Sequence, residues 1–261
     1  MARRVVIVLF DGFQMFDMTG PADVFAFVPE AYTVEVTAVA AGAVRAQNGI
    51  GVAVETPIAE IEGPIDTLIV VGGVTTPAAV GDRGLIDGIR RLAGLARRTT
   101  SVCSGAFFLA EAGLLDGRRV TTHWVAADHL RRLYPDVRVD DDSIYVRDGD
   151  VWTSAGVSSG VDLALAMVAD DLGYEVARTC ACWLVVYLHR PGGQSQFSMA
   201  MSTAVPRDEG LRDLQAYIDG NPAGDLSVPA LARRAGMSER HFSRVFTEQT
   251  GLSPGRYVER S

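Results

Sequence analysis

Lysine is absent from this 261-residue chain, in which all 24 basic residues are arginine. That excludes Schiff-base chemistry on a lysine amine and every phosphate-binding loop that needs a lysine. Long apolar runs are missing as well. The stretch Val5 to Phe10 ends at Asp11 after six residues, too short for a membrane span or for the apolar part of a signal peptide, so it reads as a buried first strand. A cytoplasmic protein with no membrane partner is expected. Cysteine is scarce: Cys103, Cys180 and Cys182 are odd in number, and Cys-x-Cys is not a zinc spacing. Reduced thiols, no metal and no cofactor are expected, with Cys180 and Cys182 as core residues of an apolar helix.

What is present is a hydrophobic fraction of 48%, enough for one large core and a small module, and a net charge of −8. The charge is uneven. From Asp225 to Ser261 six arginines face four acids, a balance of +2, which leaves −10 on the rest. The pattern implies a weakly basic module behind an acidic body.

Strand-like runs at 4–10, 32–40, 67–71 and 100–102 alternate with helix-like runs at 21–27, 85–96 and 104–112. Near-continuous Val, Ile and Leu in the first and third strands implies burial on both faces. The expected fold is α/β, a doubly wound, mostly parallel sheet sandwich of flavodoxin-like type, followed by a small all-α helix-turn-helix module. Helices are also expected at 128–133, 161–172 and 175–188, and a hairpin at 143–147 and 151–154 around Asp148-Gly149. The expected domains are 1–195, a linker over 196–207, and 208–261.

The chemical centre of the first domain is the run Thr99 to Phe107. A buried strand leads into Cys103, small residues at Ser101 and Gly105 permit a tight turn, and a helix starting at Ser104 directs its N-terminal dipole at the thiol, which favours thiolate. With this elbow, the segments Phe16 to Pro21, Asp66 to Gly73, and Gly113 to Gly117 through Thr121 to Trp124 make residues 3 to about 195 resemble the ThiJ/PfpI superfamily, of the class I glutamine amidotransferase-like fold. The resemblance implies that Asp17 is an acid close to Cys103, that Gly72 and Gly73 lie on the loop that contributes oxyanion-hole amides, and that His123 lies near the thiol. It implies a pocket bounded by Asp17, Gly72, Gly73, Cys103 and His123, with Ser104 beside it. Plainer readings remain: Asp17 as a helix cap, the glycines as chain turns, His123 as packing. Ser104 stands where the protease-like branch has histidine, which disfavours peptidase chemistry.

The C-terminal stretch reads as a helix-turn-helix. Ser227 precedes a helix with Pro229 in its first turn, Gly236 ends it in a left-handed conformation, and Ser238 caps a second helix from Glu239 to about Thr250. Phe242, Val245 and Phe246 share one face, which leaves Arg240, His241, Ser243 and Arg244 to meet DNA. With a preceding helix at 211–219, the run Leu226 to Tyr257 resembles the first half of an AraC-type DNA-binding domain. The second helix-turn-helix of that family is not in the sequence, so a shortened reader is expected.

Together the two resemblances imply a homodimeric transcriptional regulator that binds promoter DNA and senses a small, nitrogen-containing effector. The alternative is a cysteine-dependent enzyme, most similar to isocyanide hydratases, with Cys103, Asp17 and His123 catalytic. Glyoxalase- or chaperone-like activity is a third reading.

Overall fold

Val5, Val6, Ile7 and Val8 are all buried, so the strand they form has no polar face and needs cover on both sides. The computed structural model describes residues 2–190, 193–194, 206, 208–221 and 224–259, and the chain divides into two units, Met1–Gln194 and Ser195–Ser261. In the first unit the strands are β1 (Arg3–Val8), β2 (Tyr32–Ala38), β3 (Gly42–Arg45), β4 (Gly51–Val54), β5 (Thr56–Pro57), β6 (Ile65–Val70), β7 (Ala96–Val102), β8 (Arg119–Val120), β9 (Arg138–Val139), β10 (Tyr145–Asp148) and β11 (Val151–Ser154). Seven of them form one sheet in the order β10-β11-β7-β6-β1-β2-β5, parallel except for β10 against β11. Its helices are α1 (Met15–Ala26), α2 (Thr76–Ala79), α3 (Arg83–Ala93), α4 (Gly105–Glu111), α5 (Trp124–Leu133), α6 (Ser159–Leu172) and α7 (Tyr174–Leu184).

The doubly wound topology fixes where chemistry can sit. β1 is flanked by β2 on one side and β6 on the other, so the chain reverses its direction of winding there, and the carboxyl ends of β1, β6 and β7 open on one edge. Asp17 follows β1, Gly72 and Gly73 follow β6, and Cys103 follows β7.

Several expected boundaries move for identifiable reasons. β7 begins at Ala96, four residues before the expected Thr100, because Arg98 enters the sheet with its guanidinium buried. It bonds the Thr67 hydroxyl at 2.7 Å and pairs with Asp171, whose carboxylate also accepts from Arg97 at 2.8 Å and from the Tyr32 hydroxyl at 2.9 Å. α5 starts at Trp124, not Asp128, and α7 ends at Leu184, not Leu188, because Val185 turns left-handed at φ 57°. Cys180 is buried as expected of a core residue; Cys182 is not, since it lies on the exposed side of α7. The hairpin turn falls on Gly149-Asp150, with Gly149 at φ 63°. The β3–β4 hairpin, the β8–β9 pair and α2 have no counterpart among the expected elements.

The second unit contains α8 (Glu209–Gly220), α9 (Val228–Arg234), α10 (Glu239–Thr250) and α11 (Pro254–Val258). Leu211, Leu214, Ile218, Leu231, Phe242, Phe246 and Tyr257 form a core of their own. Gly236 at φ 66° makes the turn, and the Ser238 hydroxyl caps α10 by accepting from the His241 amide. Ser227 sits at the cap of α9 without a side-chain bond. Apart from Pro206, the linker expected over 196–207 lies outside the described residues. Among the described residues no helix is long and apolar enough to cross a membrane.

The Arg98–Asp171 pair joins the sheet to the end of α6, and both side chains are nearly inaccessible. Asp171→Ala is expected to destabilise the first unit by about 3–5 kcal/mol by leaving a buried guanidinium without its main partner. Denaturant unfolding followed by tryptophan fluorescence measures this, since Arg98 lies over the Trp152 ring; a loss below about 1 kcal/mol would contradict it.

Candidate functional site

Cys103 leaves β7 at φ 57°, a left-handed conformation that is strained for a residue with a side chain. Close packing holds it there. A Cβ on Gly105 would land on the Val70 carbonyl oxygen, and one on Gly72 would lie 2.5 Å from the Ser104 amide nitrogen. Only glycine at both places lets the end of β6 and the start of α4 close on each other. The Cys103 amide donates to the Ser154 carbonyl at 3.2 Å, and the Thr122 hydroxyl donates to the Cys103 carbonyl at 2.8 Å. The thiol is half-buried.

Asp17, on the first turn of α1, is fully buried. Its Oδ2 accepts from the Gly72 amide at 3.0 Å, and its Oδ1 has no hydrogen-bond partner among the described residues. Burial raises its pKa from 3.8 to about 7, against the opposing pull of the Gly72 and Val157 amides. Burial, and then the charge of Asp17, push the Cys103 thiol up to about 12, while the Ser104 and Val157 amides and the Ser104 hydroxyl pull the other way. Burial and Asp17 thus oppose the thiolate expected at the start of α4. Nor does Asp17 cap α1, whose N-cap is Gln14.

The glycine loop is occupied by its own neighbours. The Gly72 amide serves Asp17, and the Gly73 amide donates to the Ser104 hydroxyl at 3.0 Å. Ser104 Oγ also lies 2.9 Å from Thr76 Oγ1 and 3.3 Å from the Gly73 carbonyl. Each of the two glycine amides on the loop expected to contribute oxyanion-hole donors thus already has a side-chain acceptor. His123 is the N-cap of α5, where its Nδ1 accepts from the Val125 amide at 3.3 Å, and its ring packs against Gly156. Burial lowers its pKa, which favours the uncharged ring. Among the described residues it shares no hydrogen bond with Cys103 or Asp17.

A cavity of about 410 Å³ opens beside the elbow, not over it. Gly73, Ser104 and Thr76 form its polar corner, Phe107, Val74 and Val125 its apolar wall, and His129 and Tyr134 its far end. Of the pocket residues expected from the sequence Gly73 and Ser104 line it; Asp17, Gly72, Cys103 and His123 do not. Sequence reasoning also missed Thr76, Val157 and Thr122, whose roles depend on loops brought together by the sheet.

In the second unit α10 carries the expected reader residues. Arg240, His241 and Arg244 are exposed, and Ser243 is half-buried. Arg244 makes an ion pair with Glu248 at 2.8 Å and approaches His241 Nδ1 at 3.4 Å. Arg240 has no ion pair among the described residues.

Residues 3–170 match the DJ-1/PfpI family, and residues 218–259 match the bacterial regulatory helix-turn-helix proteins of the AraC family. The isonitrile hydratase of Pseudomonas putida is 31% identical over 246 residues, covering 94% of this chain and 99% of that protein. The HTH-type transcriptional regulator GlxA of Rhizobium meliloti is 32% identical over 213 residues, 80% of this chain, and the match spans 64% of GlxA. The crystal structure of a ThiJ/PfpI family protein from Pseudomonas syringae shares the fold, with a TM-score of 0.67 at 23% identity over 90% of this chain and 89% of that one.

The raised pKa of Asp17 has a definite consequence for stability. Its protonated form is favoured by folding, so its contribution is complete below about pH 4 and is lost as pH rises through about 7. Relative to Asp17→Asn, the unsubstituted chain is expected to lose about 3–4 kcal/mol between pH 4 and pH 8. Denaturant titrations of both proteins across that range test it; parallel curves would contradict the shift.

Proposed function

Because the chain belongs to the DJ-1/PfpI family and carries an AraC-type helix-turn-helix in its C-terminal unit, the arrangement of AraC-family transcriptional regulators with a DJ-1/PfpI domain, we propose that it is a regulator whose first unit senses a small, nitrogen-containing metabolite. The observation that carries this reading is α10: a capped helix that comes after a tight glycine turn, buries Phe242 and Phe246, and turns Arg240, His241 and Arg244 outward. A helix of this kind lies in the major groove, where arginine forks onto guanine and neighbouring side chains hold phosphates. The protein works as a homodimer in the cytoplasm in this reading. The effector occupies the cavity beside Ser104, whose hydroxyl corner with Thr76 meets a polar end while Phe107, Val74 and Val125 cover an apolar one.

A second reading is favoured by the isonitrile hydratase similarity and by a cysteine at a strained elbow beside a carboxyl that titrates near neutrality. In it Cys103 attacks an isocyanide carbon and Asp17 handles the proton. Two features weigh against it. The thiol is held protonated, and the glycine amides that would stabilise developing charge are already bonded.

Duplex DNA from the region upstream of the gene, titrated with the chain by fluorescence anisotropy, tests the regulator reading. Arg240→Ala is expected to weaken binding by about 1–3 kcal/mol. Arg244→Ala has a smaller effect, because its guanidinium is shared with Glu248. Binding unchanged in the double variant overturns the assignment of α10 as reader. Isocyanide turnover at about 1 s⁻¹ or faster, lost in Cys103→Ala, would replace the sensor by the enzyme.

A further inference from the structure

The first unit ends at Gln194, and the side chains that finish it are tied to the loops around the elbow. One loop runs from Ser154 to Ser158. Its Ser154 carbonyl accepts from the Cys103 amide, and its Val157 amide acts on both Asp17 and Cys103. Val157 is β-branched yet sits at φ 49°, a conformation held only by its surroundings. Arg190 fastens this loop: Nη1 donates to the Ser158 hydroxyl at 3.1 Å, and the guanidinium pairs with Asp162 in the first turn of α6.

The other loop runs from Thr121 to Trp124. Thr122 bonds the Cys103 carbonyl, and the His123 ring lies on Gly156 of the first loop. Gln194 fastens this one. Its Oε1 accepts from the Trp124 amide at 2.8 Å, while Nε2 donates to Thr121 Oγ1 and the Thr122 carbonyl at 3.0 Å each and to the Ser143 carbonyl at 3.1 Å. Its own amide donates to the Asp142 carbonyl at 2.7 Å. The side chain is 2% exposed. A glutamine buried with both ends of its amide engaged is held in one place, and losing those partners is expensive.

We infer that the Arg190 and Gln194 side chains are the output of the sensing unit: they staple its C-terminal end to the two loops that wall Cys103, so that an event at the thiol is felt at Gln194. The inference rests on the regulator reading above. A group on the sulfur strains the elbow, whose Cys103 amide and carbonyl are bonded to Ser154 and Thr122, and the loop from Ser154 to Ser158 is in contact with both His123 and Arg190. By linkage the coupling runs both ways, so loosening the staple must alter the thiol.

Hydrogen exchange by mass spectrometry on the full chain carrying Cys182→Ser, before and after iodoacetamide adds to Cys103, tests the outward direction. Exchange of the Gln194 amide is expected to rise about fivefold or more on modification, with peptides from β1 and α3 unchanged. A change below about twofold, or one spread evenly over the first unit, overturns the inference. The inward direction is read as the Cys103 alkylation rate, which Gln194→Ala and Gln194→Asn raise and which Arg147→Ala, in an exposed ion pair on β10, leaves alone. Unaltered rates in the Gln194 variants also overturn it. Should Gln194→Ala not fold, Gln194→Asn and the exchange result still decide. Neither readout involves DNA, so failure of the reader and failure of the staple are distinguishable.

Discussion

Burying a carboxyl group beside a thiol leaves room for few charges, and that constraint organises the candidate site. Asp17 is removed from water with one backbone donor on one oxygen, and its cheapest state is neutral over most of the acidic range. Cys103 then faces either a neutral acid or, above about pH 7, a negative charge that opposes its own ionisation. The surrounding backbone is shaped to hold this pair. Gly72 and Gly105 let β6 and the elbow close, Cys103 takes a left-handed turn, and the Ser104 hydroxyl fills the Gly73 amide. The glycine amides nearest the elbow are thus both taken by side chains of the chain itself.

The same geometry ties the C-terminal end of the first unit to the elbow. The strands bring Asp17, Gly72 and Cys103 to one edge of the sheet, and the loops after β8 and β11 close over them. Those loops are where Arg190 and Gln194 attach. The second unit has its own core and its own capped helices, so the exposed face of α10 is built independently of the first.

Much of this was legible in the sequence, because local physics carried it. Near-continuous β-branched runs identified the inner strands, glycine and small residues around Cys103 identified the elbow, and the Gly236 and Ser238 punctuation identified the turn between the helices α9 and α10. The features that escaped depended on partners far away along the chain. The start of β7 was hidden by Arg97 and Arg98, which read as loop until Thr67 and Asp171 are seen to neutralise and bond them, 31 and 73 residues away. The acceptors of the glycine amides were hidden for the same reason, since Asp17 lies 55 residues before Gly72 and Ser104 31 residues after Gly73. Cys182 looked buried because its helix is apolar, whereas the face it occupies points outward.

The state of the Cys103 thiol is the point on which the account turns. Its alkylation rate by iodoacetamide in the folded chain, resolved by mass spectrometry at the Cys103 peptide from pH 5 to pH 10, reports the thiolate fraction directly. The account predicts a rate that keeps climbing to the top of that range without levelling, as expected of a thiol held well above its ordinary value by burial and by Asp17. A plateau already reached below about pH 7 would show a stable thiolate and contradict it.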